Sequence, residues 1–194
     1  QQGYLTKPTD IPVYSYCSDM LNAFYHPQNN IICVGHLFKT LGPDSLNGMA
    51  SLALDADVIV HEFGHGIFDH MITMAKDEYI SFGNDLMGAL NEGQADYFAH
   101  AVTGTENLAP WMMIVQKEYI KKLYPTYYDR IKDQTALRPI KNNLKLDKDF
   151  QGEIHADGSI LAGALFDIAA TAGRIETLKL WLEPLTKLKS DSTD

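Results

Sequence analysis

The stretch SLALDADVIVHEFGHGIFDHMITM, residues 51–74, determines how the rest of the chain is arranged. Its apolar residues lie almost all round a helix, which predicts a helix buried in the centre of a domain. His61 and His65 are four residues apart, so both rings project from one helical face and can reach one metal ion. Glu62 can reach a water on that metal without being a ligand. This spacing predicts two zinc ligands and a general base.

Burial of these polar side chains needs a physical reason. An unpaired polar group inside a protein costs roughly 2 to 7 kcal/mol, and a bound metal removes that cost. Gly64 and Gly66 each weaken the helix by about 1 kcal/mol relative to alanine, which indicates that another segment packs closely against them. The alternative interpretation is that the pattern arises by chance and that both histidines are ordinary core residues. The remaining sequence distinguishes the two interpretations.

A second helix is predicted over residues 84–102, and it carries the run Asn91-Glu92-Gly93-Gln94-Ala95-Asp96. Glu92 and Asp96 are four residues apart and share a face. A catalytic zinc held by two histidines takes a third protein ligand, which Glu92 supplies. Asp96 can accept the free ring N–H of a ligand histidine and fix its tautomer. The alternative is a pair of acids on a solvated helix face.

Together the two segments resemble the gluzincin metallopeptidases, in particular the thermolysin-like and fungalysin-like families. In those families the second motif is Asn-Glu or Gly-Glu, two residues, a small residue and Asp. The resemblance implies a zinc ion bound by His61, His65 and Glu92, with Glu62 as the base. It also implies an α+β, zincin-like fold, in which an edge β-hairpin and the zinc-binding helix precede a mainly α-helical lobe.

Apolar runs on both sides of residues 26–30 predict a β-hairpin. An edge strand beside a metal can bind an extended substrate by strand addition, although a purely structural hairpin is the alternative. Asn22-Ala23-Phe24 resembles the edge-strand motif of the family, which implies that Asn22 and Ala23 hold the substrate. Leu137-Arg138-Pro139 resembles a segment whose arginine binds a substrate carbonyl, and a solvated arginine is the alternative for Arg138.

His155 precedes a predicted helix over residues 161–168. The surrounding segment resembles the one in both families where a histidine donates a hydrogen bond to the oxyanion of the tetrahedral intermediate. Such a donor contributes roughly 3 to 4 kcal/mol to lowering the barrier. An acid orients this histidine in thermolysin-like proteins, and the candidates are Asp147, Asp149 and Glu153. Asp157 is a candidate for the helix N-cap.

Two features of the family pattern are missing from the sequence. Counting back from Glu92 puts Gly83 at the place of the catalytic tyrosine of the family, with Tyr79 as the nearest substitute. Asp57 stands where the family has a calcium ligand, but Thr103 and Asn107 replace the acidic partners. Calcium is therefore unsupported.

Composition limits the range of functions. The 194 residues are 45% hydrophobic, enough for one domain with a proper core or for two small lobes that share a cleft. Together with the motifs, this predicts a single compact catalytic domain, with the hairpin and zinc helix in residues 1–83 and a mainly helical half in residues 84–194. The chain is either a compact member of the resembled family or a piece of a longer chain. The net charge of -9 argues against nucleic acid or an anionic membrane as the main partner.

Apolar segments and cysteines bear on the compartment of the protein. No run approaches the roughly 18 apolar residues of a transmembrane segment, and no basic-then-apolar signal peptide opens the chain. The chain is thus cytoplasmic or seen after processing, and a secreted or periplasmic mature form is preferred. Cys17 and Cys33 are the only cysteines. They do not face each other across the predicted hairpin, so free thiols are expected.

Further elements are predicted after the second helix. One helix is expected within residues 104–128, ending near Pro125, then a loop over residues 129–150 and a short helix over residues 174–182 that stops at Pro184.

The sequence predicts a zinc endopeptidase that acts on peptides or unfolded proteins. An aminopeptidase-type gluzincin is less consistent, because residues 14–48 contain no acidic motif for a substrate N-terminus. The same motifs would also suit a zinc-binding but inactive interaction module, or an intracellular peptidase of a toxin or processing system.

Overall fold

The computed structural model of the chain describes residues 10–15, 17–18, 22–37, 50–73, 85–123 and 125–185. The strands are β1 Val13–Ser15, β2 Ala23–His26, β3 Ile31–Val34, β4 His36–Leu37, β5 Ala50–Ser51, β6 Asn107–Leu108 and β7 Arg138–Pro139. The helices are α1 Ala56–Thr73, α2 Asp85–Thr103, α3 Pro110–Leu123, α4 Pro125–Ile131, α5 Leu146–Asp149, α6 Ile154–Ala172 and α7 Arg174–Leu185, with a 3-10 turn at Leu52–Leu54 before α1. The described part is α+β, mostly helical with a small sheet, which agrees with the predicted class.

The predicted hairpin is confirmed as β2 and β3, which pair antiparallel with Ala23 opposite Val34 and His26 opposite Ile31. Asn30 ends the connecting turn at a φ of 49°, a left-handed conformation that asparagine tolerates better than most residues. β1 pairs parallel with the other side of β3, so the strand order is β1-β3-β2. Within the described residues β2 is therefore an edge strand, and it packs against α1.

The prediction of two free thiols is wrong, because Cys17 and Cys33 form a disulfide. Cys33 lies opposite Phe24 in β2 and Tyr14 in β1, so it has no cysteine across either strand pair. Cys17 instead lies in a bend beyond the end of β1, and its Cα is 5.6 Å from that of Cys33, within bonding range. A disulfide is compatible with an oxidising, extracellular compartment.

Glycines allow the close packing of α1 that the sequence predicts. A Cβ on Gly64 would lie 3.0 Å from the Cα of Ala95, so α2 crosses α1 almost backbone to backbone. A Cβ on Gly66 would lie 2.5 Å from the Cδ1 of Ile11 and 3.2 Å from the ring of Tyr25. The helix is thus enclosed by α2 on one side and by the sheet segment on the other.

The helix predicted to end near Pro125 is confirmed as α3, which ends at Leu123. Three features after it differ from the prediction. Pro125 opens a separate helix, α4, because proline is well suited to the first helical position, where its missing N–H is not needed. The predicted loop over residues 129–150 contains β7, which pairs with β6, and the short helix α5. Helix α7 continues through Pro184 to Leu185, where the proline removes one hydrogen bond from the last turn only.

Helix α6 begins at Ile154, seven residues before the predicted start at 161, and His155 therefore lies in its first turn. Glu153 is the N-cap, and its carboxylate accepts a hydrogen bond from the N–H of Ala156 at 2.8 Å. Asp157 is not the cap. Its carboxylate instead accepts hydrogen bonds from the N–H groups of Gln151 and Gly152, which fixes the preceding loop.

Apolar contacts join these elements around α2, which packs against α1, α6 and α7. One cluster links the sheet, α1 and α3, and includes Ile32, Val34, Leu52, Val58 and Met112. A second links α1 to Leu185, and a third links α2, α6 and α7 around Tyr97. Within the described ranges, no helix is long and apolar enough to cross a membrane.

Candidate metal centre

His61, His65 and Glu92 converge at one point between α1 and α2. The Nε2 atoms of His61 and His65 are 3.0 Å apart. Oxygens of Glu92 lie 3.5 Å from Nε2 of His61 and 3.6 Å from Nε2 of His65. The three predicted ligands are thus brought together, and they form a group whose donor atoms could hold one metal ion.

These separations fit a tetrahedral zinc site. Donors bound at about 2.0 to 2.1 Å in a tetrahedron lie about 3.3 Å from one another, close to the distance between the two ring nitrogens and to the distance from each ring to one Glu92 oxygen, Oε2 for His61 and Oε1 for His65. Two ring nitrogens 3.0 Å apart would repel through their lone pairs unless a proton or a cation lay between them. Two imidazoles and one carboxylate are also a ligand set typical of catalytic zinc, which keeps one position open.

Each ligand histidine has a polar partner on its second ring nitrogen. Nδ1 of His65 is 3.0 Å from Oδ1 of Asn91. Nδ1 of His61 is 2.8 Å from Oδ1 of Asp96, in ion-pair contact but outside the angles of a strict hydrogen bond. Asp96 therefore lies where the sequence predicts it. The sequence pattern does not assign Asn91, although the need of a second ligand histidine for a partner is a signal for it.

Arg138 reaches the same carboxylate from β7. Its Nε and Nη2 donate to the two oxygens of Asp96 at 2.9 and 2.7 Å, a bidentate pair, and Nη2 lies 3.5 Å from Glu92. The predicted contact of Arg138 with a substrate carbonyl stays a prediction. A guanidinium has five N–H donors, so the pairing with Asp96 leaves donors for a ligand.

The charges of these buried side chains shift one another's pKa values. Burial raises the pKa of Asp96, but Arg138 and His61 outweigh it and hold the pKa well below its usual range. Burial likewise raises the pKa of Glu92, and the nearby histidines lower it to about 2. Burial lowers the pKa of His61, whereas Asp96 and Glu92 raise it to about 10. The carboxylates thus favour a positive charge at His61, which a metal can supply in place of a proton.

Glu62 points into the cleft beside the ligands and is 6% exposed. Its Oε2 accepts a hydrogen bond of 2.8 Å from the backbone N–H of Tyr25 in the edge strand β2. The proposed base is therefore held by the strand that the sequence predicts to bind substrate. A backbone donor leaves no side-chain signal in the sequence, so this contact could not be predicted.

His155 faces the metal ligands from α6. Its Nε2 lies 3.6 Å from Oε1 of Glu92, and its Nδ1 lies 2.7 Å from Oε1 of Glu153. Among the three candidate acids, Glu153 is the one that contacts His155. Asp149 accepts a hydrogen bond from the N–H of Lys145 instead.

A cleft of about 390 Å³ is lined by the three candidate ligands together with Glu62, Arg138 and His155. Asn22 and Ala23 of the edge-strand motif line it, and the backbone oxygen of Asn22 accepts a hydrogen bond from Gly35. One part of the wall is apolar and belongs to the cluster that joins the sheet to α1 and α3. Its members are Leu52, Val58, Leu108, Ala109, Met112 and Leu137.

The positions that correspond to the catalytic tyrosine and to a calcium ligand of the resembled family lie in two other parts of the chain. Gly83 and Tyr79, considered for the catalytic tyrosine, lie outside the described residues. Burial raises the pKa of Asp57, the charge of Asp55 adds to that rise, and hydrogen bonds from the side chains of Thr103 and Thr105 oppose it. The surroundings of Asp57 thus contain one further acid and two hydroxyl groups.

Comparison with known proteins adds no assignment. The chain matches no protein-family profile, no curated protein and no solved structure.

Proposed function

We propose that the protein is a zinc-dependent endopeptidase of the gluzincin type, with thermolysin-like or fungalysin-like chemistry. The observation that carries the proposal is the convergence of His61, His65 and Glu92, with Glu62 beside them in the same cleft. A structural zinc site is usually closed by four protein ligands. Three ligands, a carboxylate positioned as a base and an open cleft are instead the parts of a hydrolytic site.

Residues of the chain have separate tasks in this reaction. Zinc, when bound, supplies Lewis acidity, which lowers the pKa of a water and polarises a carbonyl. Glu62, oriented by the N–H of Tyr25, takes a proton from the attacking water and passes it to the leaving amine. His155, held by Glu153, donates a hydrogen bond to the developing oxyanion.

The substrate class follows from the shape of the cleft. β2 is an edge strand, so an extended peptide can pair with its backbone beside Glu62. The apolar wall around Val58 and Met112 suits a hydrophobic side chain next to the scissile bond. Extended, accessible segments of unfolded proteins and flexible peptides meet both conditions.

The proposal is tested by measuring zinc content together with hydrolysis of casein, with and without phenanthroline. We expect about one zinc per chain and cleavage that the chelator abolishes. In Glu62→Gln, zinc content should stay the same while hydrolysis falls by at least about a hundredfold, as expected on removal of a general base. Glu118→Gln, an exposed change in α3, is the matched control.

Three other outcomes would contradict the proposal. Bound zinc without cleavage of any peptide would indicate a binding module. Cleavage that persists in Glu62→Gln would exclude this mechanism. Release of N-terminal residues only would indicate an aminopeptidase.

A further inference from the structure

The face of α1 that carries the zinc ligands continues to a third polar residue. His61, His65 and Asp69 follow one another at intervals of four, so their side chains project from the same side of the helix. At about 1.5 Å per residue, Asp69 stands about 6 Å further along the axis than His65. It lines the same cleft as the ligands. The metal-binding helix thus places a carboxylate at one end of the cleft.

Tyr25 fixes the position of this carboxylate. Its ring lies against α1 at Gly66, where a Cβ would come within 3.2 Å of ring atom Cε2. Its hydroxyl lies 3.0 Å from Oδ1 of Asn30 and is also within hydrogen-bonding reach of Asp69. The hydroxyl has one proton, which it donates to one of these two acceptors at a time. An ionised carboxylate can accept several hydrogen bonds, so a bond to Tyr25 is compatible with a further donor. Asp69 is therefore held at the cleft and is not a freely rotating surface acid.

The two ends of the cleft differ in chemistry. Val58 precedes His61 on α1 and belongs to the apolar wall, whereas Asp69 follows His65. Among the described residues lining the cleft, the only arginine is Arg138 and there is no lysine. Arg138 is paired with Asp96 and Glu92. A cationic group in the cleft would thus meet a carboxylate at the Asp69 end and hydrophobic side chains at the other.

We propose that Asp69 is a specificity-determining residue, which binds a cationic group of the substrate on the side of the scissile bond opposite the apolar wall. The cation is an ammonium or guanidinium, from a lysine or arginine side chain or from the N-terminus of a short peptide. This inference rests on the proposed peptidase function. It predicts cleavage between two specificity elements, one apolar and one basic, on opposite sides of the bond.

The test uses quenched fluorescent peptides that all contain the same apolar residue. At each of the other positions in turn, one peptide carries lysine and a matched peptide carries the uncharged norleucine. We expect lysine to raise kcat/KM about fivefold to tenfold at one position, a range reasonable for one ion pair in a partly buried cleft. Asp69→Asn should remove that preference, and Asp69→Glu should retain part of it. Asp129→Asn, which removes an exposed carboxylate from α4, should leave it unchanged. Peptides with free or acetylated N-termini distinguish the two sources of the cation.

The possible results separate this inference from the proposed function. If no peptide is cleaved, the proposed function fails. If peptides are cleaved but lysine and norleucine are equivalent at every position, the role of Asp69 is wrong and the peptidase assignment stands. Equal preference in Asp69→Asn and the wild type also overturns the inference. Zinc content and melting temperature of Asp69→Asn are measured alongside its peptide preference. Asp69→Lys provides a second variant, which should favour glutamate over lysine at the same position.

Discussion

Glu153 uses its two carboxylate oxygens for different tasks, one bonded to His155 and the other to the N–H of Ala156. In Glu153→Gln an acceptor for the helix cap remains, whereas His155 loses its anionic partner. We expect kcat for peptide hydrolysis to fall about 10-fold to 100-fold, the effect typical of groups that orient an active-site histidine. Steady-state kinetics measure it. Asp149→Asn is the matched control, and equal losses in both variants would contradict the assignment.

Arg138 compensates the negative charge of a carboxylate that is almost fully buried, since the Asp96 side chain is 2% exposed. In Arg138→Met that carboxylate loses its bidentate partner, and we expect the free energy of unfolding to fall by about 3 kcal/mol. Urea unfolding with a chelator present measures the change. Arg130→Met, an exposed change in α4, should have little effect. A double variant that also carries Asp96→Asn should lose less than the sum of the single changes.

The same pair makes stability depend on pH. Arg138 and His61 lower the pKa of Asp96 in the folded protein, against the opposing effect of burial. A carboxyl with a lowered pKa stabilises the fold fully above its unfolded value of about 3.9, and the contribution is lost as the pH falls further. In Arg138→Met the lowering is smaller, so unfolding free energy should fall less steeply below about pH 4. Acid titration of the metal-free protein tests this, and parallel curves would contradict it.

The sequence predicts the roles of residues that stand four apart on one helix. His61, His65 and the Glu92–Asp96 pair follow from positions four apart on a helix, and the structure brings them together. Asn91 is not assigned because the sequence motif gives roles only to Glu92 and Asp96, and the Tyr25 contact uses a backbone N–H, which leaves no side-chain signal. Their roles appear only when α1, α2 and β2 are packed together.

At the level of elements, the close crossing of α2 and α6 determines where His155 lies. A Cβ on Gly158 would lie 2.8 Å from Cβ of Glu92 and 2.8 Å from the backbone N of Gly93. Gly158→Ala should therefore push α6 away from α2, lower stability by about 1 to 3 kcal/mol and reduce hydrolysis while zinc still binds. Thermal unfolding, zinc content and kcat measure these effects.

The control for this crossing is Gly163→Ala, also in α6. There the atoms nearest to the added Cβ belong to the side chain of Asn142, which is hydrogen-bonded to the loop after β7 and to Ser159, and not to the backbone of α2. We expect a smaller loss of activity. If Gly158→Ala retained full activity, the backbone contact would not position His155.

Element boundaries differ in how far local sequence determines them. The hairpin and the helices α1 and α2 were predictable because turn residues and apolar spacing are local. The early start of α6 depends on capping by Glu153, and the β6–β7 pairing joins segments about thirty residues apart. The disulfide likewise depends on a bend after β1 that brings Cys17 over β3. These features are set by contacts between segments and not by periodicity.

For the molecule as a whole, the three candidate metal ligands come from two helices, α1 and α2. Zinc bound to the folded form alone should stabilise it by about 4 kcal/mol when free zinc is about a thousand times its dissociation constant. Calorimetry should therefore show a lower melting temperature after chelation and recovery on adding zinc. Glu92→Gln should reduce that response and Glu118→Gln should not. An identical melting temperature with and without zinc would contradict a shared site.

Tyr25 connects two properties of the cleft that can change independently. Its main-chain N–H orients Glu62, while its ring and hydroxyl contact Gly66 and Asp69. Any residue except proline keeps the main-chain donor. Under the proposed function, natural variation at this position can therefore alter which peptides are accepted and leave proton transfer intact, so the edge strand is a place where the protein can diverge in preference without losing its chemistry.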